Sequence, residues 1–165
     1  MNGTDATRGS RLLDLSAICA RWLLGVLFIY TGWQKIWDPV TFLKLVRQYD
    51  LVQTPFLLNS IAATLPWFEV FCGALLILGV AVRGTALTLV CVLVPFTAVV
   101  WHRALVLEAA KLIPFCMVKF DCGCGTGEVF ICTKLVENFL LILLSCWVIA
   151  GRGRGCALRY SLASG

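Results

Sequence analysis

The stretch IAATLPWFEVFCGALLILGVAV, residues 61–82, decides the fold of this chain. Glu69 is the one charged residue within it. A hydrocarbon core about 30 Å thick is crossed by roughly 20 apolar residues in helical conformation. The stretch therefore predicts a transmembrane helix.

Three further apolar runs lie on either side of this stretch, at residues 12–37, 85–101 and 135–149. Of the 165 residues 60% are hydrophobic and 14% are charged, and the mean hydropathy is +0.90. A chain with so little polar surface is expected to contact lipid, and we expect no nucleic acid partner. Backbone groups in lipid must be bonded internally, which favours helices, and no long alternating pattern indicates a barrel. We predict an all-α membrane protein, a four-transmembrane-helix bundle with short interfacial helices in its outer connections.

The four runs define a transmembrane domain, residues 12–150, between two polar tails, residues 1–11 and 151–165. Arg8 and Arg11 precede the first run, as in a secretory signal. That run is too long for a signal peptide, and no small-residue cleavage site follows it. We interpret it as a retained signal anchor.

Two longer connections lie on the same side of the predicted bundle. Between residues 40 and 49, apolar side chains recur at helical spacing, while Lys44 and Arg47 fall on the other face. This pattern predicts a short helix at the membrane interface; the alternative is a solvated helix that covers the bundle. The second connection, residues 102–134, is rich in cysteine. Its first part, residues 103–119, is predicted to be a second interfacial or re-entrant segment that Pro114 breaks.

Lys and Arg residues are balanced between the two ends of the predicted bundle, with seven of the 14 at each end. Those at the end with the longer connections are interleaved with acidic residues. The count required by the positive-inside rule is thus a tie, and the longer connections interleaved with acids at one end favour cytoplasmic termini. We predict a protein of the bacterial cytoplasmic (inner) membrane whose cysteine-rich connection faces the periplasm, where disulfides persist.

Four of the nine cysteines fall within the second connection: Cys116, Cys122, Cys124 and Cys132. Cys122 and Cys124 are separated by one glycine, in a glycine-rich break between two apolar runs. A Cys-Gly-Cys disulfide closes a very small ring, and strained, exposed disulfides are labile and oxidising. We predict thiol–disulfide exchange at Cys122 and Cys124, with Cys116 and Cys132 as a second pair that relays it.

Two other interpretations of these cysteines stay open. One is a purely structural disulfide that staples the connection. The other is a zinc or iron–sulfur site, although the spacing lacks the paired knuckles of structural zinc, and we assign no metal. Cys156 is interpreted as a free thiol in the tail. The cysteines within the spans are interpreted as small apolar residues; these are Cys19, Cys72, Cys91 and Cys146.

Glu69 lies deep in the predicted second span, where an ionised carboxylate is costly and commonly functional. Pro66, one turn earlier, is expected to kink the helix. Lys35 can reach Glu69 from the end of the first span, because long basic side chains snorkel. The pair is either a structural contact between helices or the polar anchor of a quinone pocket, with Trp33 and Trp67 at its wall.

The chain also carries a series of short motifs in a fixed order. They are RWLLG at 21–25, GWQK at 32–35, LPWFE at 65–69, GALLILG at 73–79, and DCGCG at 121–125 ahead of Glu137 and Asn138. Together they resemble the methylamine utilisation protein MauE and the wider DoxX group, over about residues 21–147. The Cys-Gly-Cys element between the third and fourth spans is the most specific part of the resemblance.

The resemblance implies a four-helix integral membrane protein of bacteria. The MauE branch is associated with maturation of a disulfide-rich periplasmic dehydrogenase alongside a thioredoxin-like partner, and some DoxX-type members are subunits of quinone-linked oxidoreductases. We therefore expect a protein that passes disulfides or electrons between a periplasmic thioredoxin-like or cysteine-rich partner and the membrane, with quinone as the candidate cofactor. The main alternative is a non-catalytic subunit that anchors a larger membrane oxidoreductase; a transporter is a third.

Overall fold

The computed structural model describes residues 3–48, 54–121 and 128–151. Within them the backbone forms five α-helices, a 3₁₀ turn and a two-stranded antiparallel sheet. In chain order these are α1 (Gly3–Trp37), α2 (Pro39–Gln48), α3 (Pro55–Leu78), α4 (Val82–Lys111), the 3₁₀ turn Phe115–Met117, β1 (Lys119–Asp121), β2 (Glu128–Phe130) and α5 (Ile131–Ala150).

Four of these helices are long and apolar enough to cross a membrane. Their spans are Asp14–Trp37, Pro55–Leu78, Val82–Ala110 and Ile131–Ala150. The predicted all-α bundle of four transmembrane helices is therefore confirmed. We call the end of the bundle where α1 and α4 end and α3 and α5 begin the cap end, and the opposite end the tail end.

Two helices extend well beyond the boundaries predicted from the sequence. α4 continues to Lys111, so residues 103–111 prolong the third span and do not form a separate interfacial segment. This part of the chain is rich in Ala and Leu and has no proline before Pro114, so an existing helix propagates through it at little cost. α1 already begins at Gly3, so most of residues 1–11, the predicted polar tail, is helical backbone.

α1 packs chiefly against α3, and glycines set the distance between the two backbones. A β-carbon on Gly25 would lie 2.6 Å from Ile77 Cγ1 and 2.9 Å from the Gly73 carbonyl oxygen. A β-carbon on Gly73 would lie 2.6 Å from the Gly25 carbonyl oxygen. Neither position has room for a side chain. Small residues let the backbones of membrane helices touch, which is a common way for such helices to associate.

The second close helix pair is α4 with α5, and α1 also contacts α5. Asn138 Nδ2 on α5 donates to Thr97 Oγ1 on α4 over 3.2 Å. Near the tail end, Trp147 Nε1 on α5 donates to Ser16 Oγ on α1 over 3.3 Å. These contacts fix the vertical register of antiparallel neighbours, so the depth of a residue on one helix can be compared with that on another.

Two buried apolar clusters fill the interior. The cap core packs the end of α4 against the 3₁₀ turn and the start of α5, and its members are Val100, Ala104, Val118 and Ile131. The tail-end core lies in the other half of the bundle, with the fully buried Arg21 next to it on α1. The buried members of the tail-end core are Ala20, Leu24, Phe28, Cys72, Leu76, Ala86, Leu89, Leu93 and Val148.

α2 is a short helix that begins directly after α1. Asp38 caps its N-terminus, because the Thr41 N–H donates to Asp38 Oδ1 over 3.1 Å. Pro39 occupies the first helical position, where its fixed φ is favourable. Phe42 is the buried residue of the helix, which packs against α3. A helix is therefore present in this connection, as predicted.

The cap end also carries a hairpin of two three-residue strands, which the sequence did not predict. The register places Asp121 opposite Glu128. The Ile131 N–H donates to the Val118 carbonyl over 3.0 Å and continues the pairing toward α5. The hairpin thus folds the chain back so that the 3₁₀ turn lies beside the first turn of α5.

Candidate functional site

A disulfide joins Cys116 and Cys132 at the cap end. Cys116 belongs to the 3₁₀ turn and Cys132 to the first turn of α5, with their Cα atoms 5.1 Å apart. The hairpin brings the two cysteines into bonding range, although they are 16 residues apart in sequence. Each sulfur is bonded to the other, so neither serves as a thiolate ligand for a metal in this state.

Cys122 and Cys124, which were predicted to exchange disulfides, lie outside the described residues. The residues that precede and follow the segment are described: Asp121 and Glu128 face each other as the last pair of the hairpin. Residues 122–127 therefore link two strand ends that are neighbours in space. The reactivity of Cys122 and Cys124 stays a prediction from the sequence.

Two lysines that lie close in sequence to these cysteines, Lys119 and Lys134, make contacts of their own. Lys119 Nζ lies over the ring of Phe130, 4.4 Å from its centroid, which is within the range of a cation–π interaction. Lys134 is buried at 6% exposure, and its Nζ donates to Glu137 Oε2 over 3.0 Å. Lys134 therefore belongs to the interior of the bundle.

A second group of functional candidates lies inside the bundle, where Lys35 of α1 meets Glu69 of α3. Lys35 Nζ donates to Glu69 Oε1 over 2.5 Å and to Oε2 over 2.6 Å. Both residues are buried, at 8% and 9% exposure. Each charge stabilises the other there, because desolvation of an isolated ion is very costly. The contact predicted between Lys35 and Glu69 is confirmed.

Gly32 explains how a lysine near the end of α1 reaches a carboxylate inside α3. A β-carbon on Gly32 would lie 2.8 Å from the Pro66 carbonyl oxygen and 3.1 Å from Glu69 Cβ. The two helices therefore touch about one turn before Lys35. This close approach lets the lysine side chain span the gap to Glu69.

Three further polar side chains belong to the same region and were not assigned to it from the sequence. Lys134 of α5 interacts electrostatically with Glu69. Asn138, one turn further along α5, is buried and donates to Thr97 of α4. We call Lys35, Glu69, Thr97, Lys134 and Asn138 the polar layer. Each of the four transmembrane helices contributes to it.

The sequence does contain a signal for the α5 part of the polar layer. Lys134, Asn138 and Ser145 are separated by four and seven residues, so they fall on one helix face. All three are buried. The predicted fourth span, residues 135–149, began one residue too late to include Lys134, and the shared face was therefore missed.

Trp33 and Trp67, the predicted wall of a quinone pocket, lie on the surface of the bundle. They are 55% and 62% exposed. The Trp33 ring centroid is 6.4 Å from that of Trp37 at the end of α1, an arrangement typical of aromatic belts at membrane interfaces. The structure thus brings Glu69 and Lys35 together but leaves both tryptophans outward. Quinone binding at these residues stays a prediction.

The cysteines within the spans lie apart from the disulfide, although Cys72 is about one turn from Glu69 on α3. Cys72 is buried in the tail-end core, whereas Cys19, Cys91 and Cys146 are exposed on helix surfaces. All four carry free thiols among the described residues. This arrangement agrees with their interpretation as small apolar side chains.

Fold and site together define a class of protein: a four-helix integral membrane protein with a disulfide-closed cap and a buried ion pair between two transmembrane helices. The family model described as methylamine utilisation protein MauE matches residues 13–151. The chain therefore belongs to the MauE family, as its motifs predicted. No curated protein and no solved structure matches the chain.

Proposed function

We propose that this MauE-family protein transfers disulfides between a thiol-bearing partner protein outside the cytoplasm and the membrane, with Cys122 and Cys124 as the exchanging pair. The proposal is carried by the disulfide-closed cap, in which the bonded Cys116 and Cys132 flank the hairpin that leads into the Cys-Gly-Cys segment. Stable disulfides are typical of compartments outside the cytoplasm, which supports a cap facing the periplasm.

The two cysteine pairs have different roles in this proposal. The sequence predicts that Cys116 and Cys132 relay the exchange; in the present proposal they are instead a staple that ties the hairpin to α5 and stays bonded during the reaction. Cys122 and Cys124 are separated by a single glycine, so a disulfide between them is a small, strained ring that thiols reduce readily. The staple keeps the reactive pair at a fixed end of the bundle, where a partner protein can approach it.

In the disulfide-donating direction, a thiolate of the reduced partner attacks one sulfur of the Cys122–Cys124 disulfide. The sulfur–sulfur bond breaks, a mixed disulfide forms and the other cysteine leaves as a thiolate. The second thiol of the partner then attacks the mixed disulfide. The partner is thereby oxidised by two electrons, and Cys122 and Cys124 become thiols. A membrane quinone is the proposed class of oxidant that restores the disulfide, taking up two electrons and two protons.

Trapping of the mixed disulfide tests the exchange. The probe is a thioredoxin-fold protein with one active-site cysteine, activated as a mixed disulfide with thionitrobenzoate. A reduced cysteine of the membrane protein displaces thionitrobenzoate and becomes linked to the probe. In wild-type protein in nanodiscs, the second cysteine then resolves this link and releases the probe. One of the variants Cys122→Ser and Cys124→Ser should instead accumulate a dithiothreitol-sensitive adduct, because the resolving thiol is missing.

The double variant Cys122→Ser/Cys124→Ser measures the background from free thiols in the spans, and Cys91→Ser is a matched control with an unchanged cap. Absence of an adduct from both single variants, with normal maturation of the partner oxidoreductase in cells, would contradict the exchange function. The accessory-subunit function would then take its place. It requires the Cys116–Cys132 staple for a stable docking surface but gives Cys122 and Cys124 no reaction.

A further inference from the structure

The ion pair between Lys35 and Glu69 is closed toward the tail end by apolar side chains. Cys72 follows Glu69 by about one turn on α3 and Leu76 by about two, and Phe28 of α1 belongs to the same buried cluster. Water crosses such a layer poorly, because it needs polar partners to enter the interior of a protein. The pair can therefore exchange with water through the cap end.

At the cap end, α2 lies over the ion pair. The Phe42 ring centroid is 5.4 Å from Lys35 Nζ, and Phe42 is only 6% exposed. A ring in this position excludes water from the ammonium group, while its π-face stabilises the charge. Phe42 is thus a plug for the pair, and it is carried by a separate helix.

α2 is a weakly anchored element. It has ten residues, and isolated helices shorter than about 12–15 residues are marginal in water. Its hold on the bundle consists of one buried side chain, Phe42, and of Leu43, Leu45 and Val46, which are only partly buried. Elements with few buried contacts open at low free-energy cost without global unfolding. Undocking of Phe42 would therefore uncover Lys35 and Glu69.

Glu69 also has charged and titratable neighbours besides Lys35. Lys134 of α5 interacts with it electrostatically, as does the Cys72 thiol on α3. Lys134 is bonded in turn to Glu137, whose side chain is 49% exposed. Among the residues that the structure describes, two ion pairs therefore lie near the cap end: Lys134–Glu137 reaches solvent, and Lys35–Glu69 is covered by Phe42.

We propose that α2 is a lid whose Phe42 seals the Lys35–Glu69 pair, and that opening of α2 lets Glu69 exchange protons with water at the cap end. The ligand of this site is the proton, together with the water that carries it. The docked lid keeps the carboxylate bonded to Lys35 and isolated from solvent. This inference does not depend on thiol exchange by Cys122 and Cys124.

A water-soluble carbodiimide tests the lid. The reagent activates an accessible carboxylate, which a neighbouring lysine attacks to form an amide, while the water lost from the pair converts the carbodiimide to a urea. Because Lys35 already contacts Glu69, access of the reagent creates a covalent link between α1 and α3 that peptide mass mapping detects. In nanodiscs the link should be scarce in wild-type protein. We expect it to rise on the order of tenfold in Phe42→Ala, because the lid opens more often.

The chain provides its own controls. Glu137 is about half exposed and bonded to the buried Lys134, so the reagent reaches this carboxylate without opening of α2, and the pair should become linked to the same extent in every variant. Val40→Ala changes an exposed residue of α2 and should leave the Lys35–Glu69 link at the wild-type level. Phe42→Leu retains apolar volume at the plug and should give an intermediate yield of the Lys35–Glu69 link. It also serves as the test if the alanine variant does not fold.

Two results would overturn the lid. One is a wild-type protein that links Lys35 to Glu69 as readily as Lys134 to Glu137, which would mean that the pair is not sealed. The other is an unchanged Lys35–Glu69 yield in the folded Phe42 variants, which would mean that another element closes the site.

Discussion

The two ends of the bundle are stabilised in different ways. At the tail end, Gly25 and Gly73 bring α1 and α3 into backbone contact, and fully buried side chains such as Leu24 and Leu76 pack around them. At the cap end, a smaller apolar core is supplemented by a few specific bonds: two ion pairs, a disulfide and a short hairpin. Close packing is spread over many contacts, whereas each of these bonds can be lost through one change. The difference indicates that the tail end is a rigid scaffold, whereas the bonds at the cap end can be broken one at a time.

The largest loss of stability should come from breaking the ion pair between Lys35 and Glu69. Glu69→Ala leaves the Lys35 ammonium buried without its partner, which in buried pairs costs about 3–5 kcal/mol. Glu69→Gln should cost less, because the amide still accepts a hydrogen bond. Thermal unfolding of the protein in detergent measures both. The double variant Lys35→Met/Glu69→Leu should recover most of the loss, since it removes both charges.

A change at the half-exposed Glu137 sharpens this comparison. Glu137 is bonded to Lys134, which is buried, but Lys134 also interacts electrostatically with Glu69 and so keeps an opposite charge when Glu137 is removed. Glu137→Ala should therefore lower the melting temperature less than Glu69→Ala does. Equal melting temperatures for Glu69→Ala, Glu69→Gln and the wild type would contradict a structural role for the buried pair.

The next largest loss of stability should come from removing the disulfide. Cys116 and Cys132 are 16 residues apart, and a bridge over a loop of that length is worth about 3 kcal/mol in the chain-entropy model. Cys132→Ser should lower stability by this order and loosen the cap before the tail end. Hydrogen exchange resolved by peptide checks this, with faster exchange expected in residues 115–121 and 128–131. Faster exchange in α1 and α3 alone would contradict the separation of the two ends.

The sequence predicted the spans well because every residue of a span must be compatible with the hydrocarbon core of the membrane. The run 61–82, for example, is almost free of charge, and its helix follows from that alone. The length of α4 was harder to predict, because residues 103–111 are apolar enough for either an interfacial segment or a longer span. The hairpin was missed for a different reason. Its strands have three residues each, which is too short for an alternating pattern to stand out.

A smaller loss of stability is expected at the tail end when a side chain is added at a closely packed glycine. Gly73→Ala places a β-carbon 2.6 Å from the Gly25 carbonyl oxygen, so α1 and α3 must separate, at a cost of about 1–3 kcal/mol. Gly84→Ala is the matched control, since nothing lies within 4 Å of the new β-carbon. It should be neutral or slightly stabilising, by roughly 0.5–1 kcal/mol in a helix. Thermal unfolding of the two variants checks the difference, and equal effects would contradict close backbone packing.

The smallest effect concerns the N-cap of α2 at the cap end. Hydrogen bonds from the Thr41 backbone and hydroxyl hold the pKa of Asp38 below its usual value of 3.8. Because the pKa of Asp38 is lowered in the folded state, the Asp38 N-cap stabilises α2 above pH 3.8. This contribution is lost as the pH falls through the lowered pKa. Pepsin, which cleaves in acid, should cut α2 near Phe42 faster as the pH decreases through this range.

Asp38→Asn is the control for this titration, because an amide oxygen caps the helix without a charge. Relative to that variant, the wild type should become more susceptible to pepsin only at the acid end of the range. Parallel cleavage rates for the two proteins at every pH would rule out Asp38 as the titrating group.

Part of the candidate site could be predicted, because some of its side chains require a particular partner. A buried Glu69 requires a cation, and Lys35 is within reach on a neighbouring helix, so their contact could be predicted from the sequence. Trp33 and Trp67 carry no such requirement, because an aromatic side chain suits lipid, an interface or a pocket equally well. Lys134 lies just outside the predicted fourth span, and nothing in a single sequence states that α5 turns it inward.

The Cys116–Cys132 bond also makes the hairpin segment a closed covalent ring at the cap end. A protease that cuts one peptide bond inside this ring produces two fragments, one with α1 to α4 and the other with α5, which stay attached through sulfur. Such a nicked protein would migrate as a single chain until a reductant is added, and its four spans would remain one molecule. The cap end thus tolerates a break of the backbone between Cys116 and Cys132.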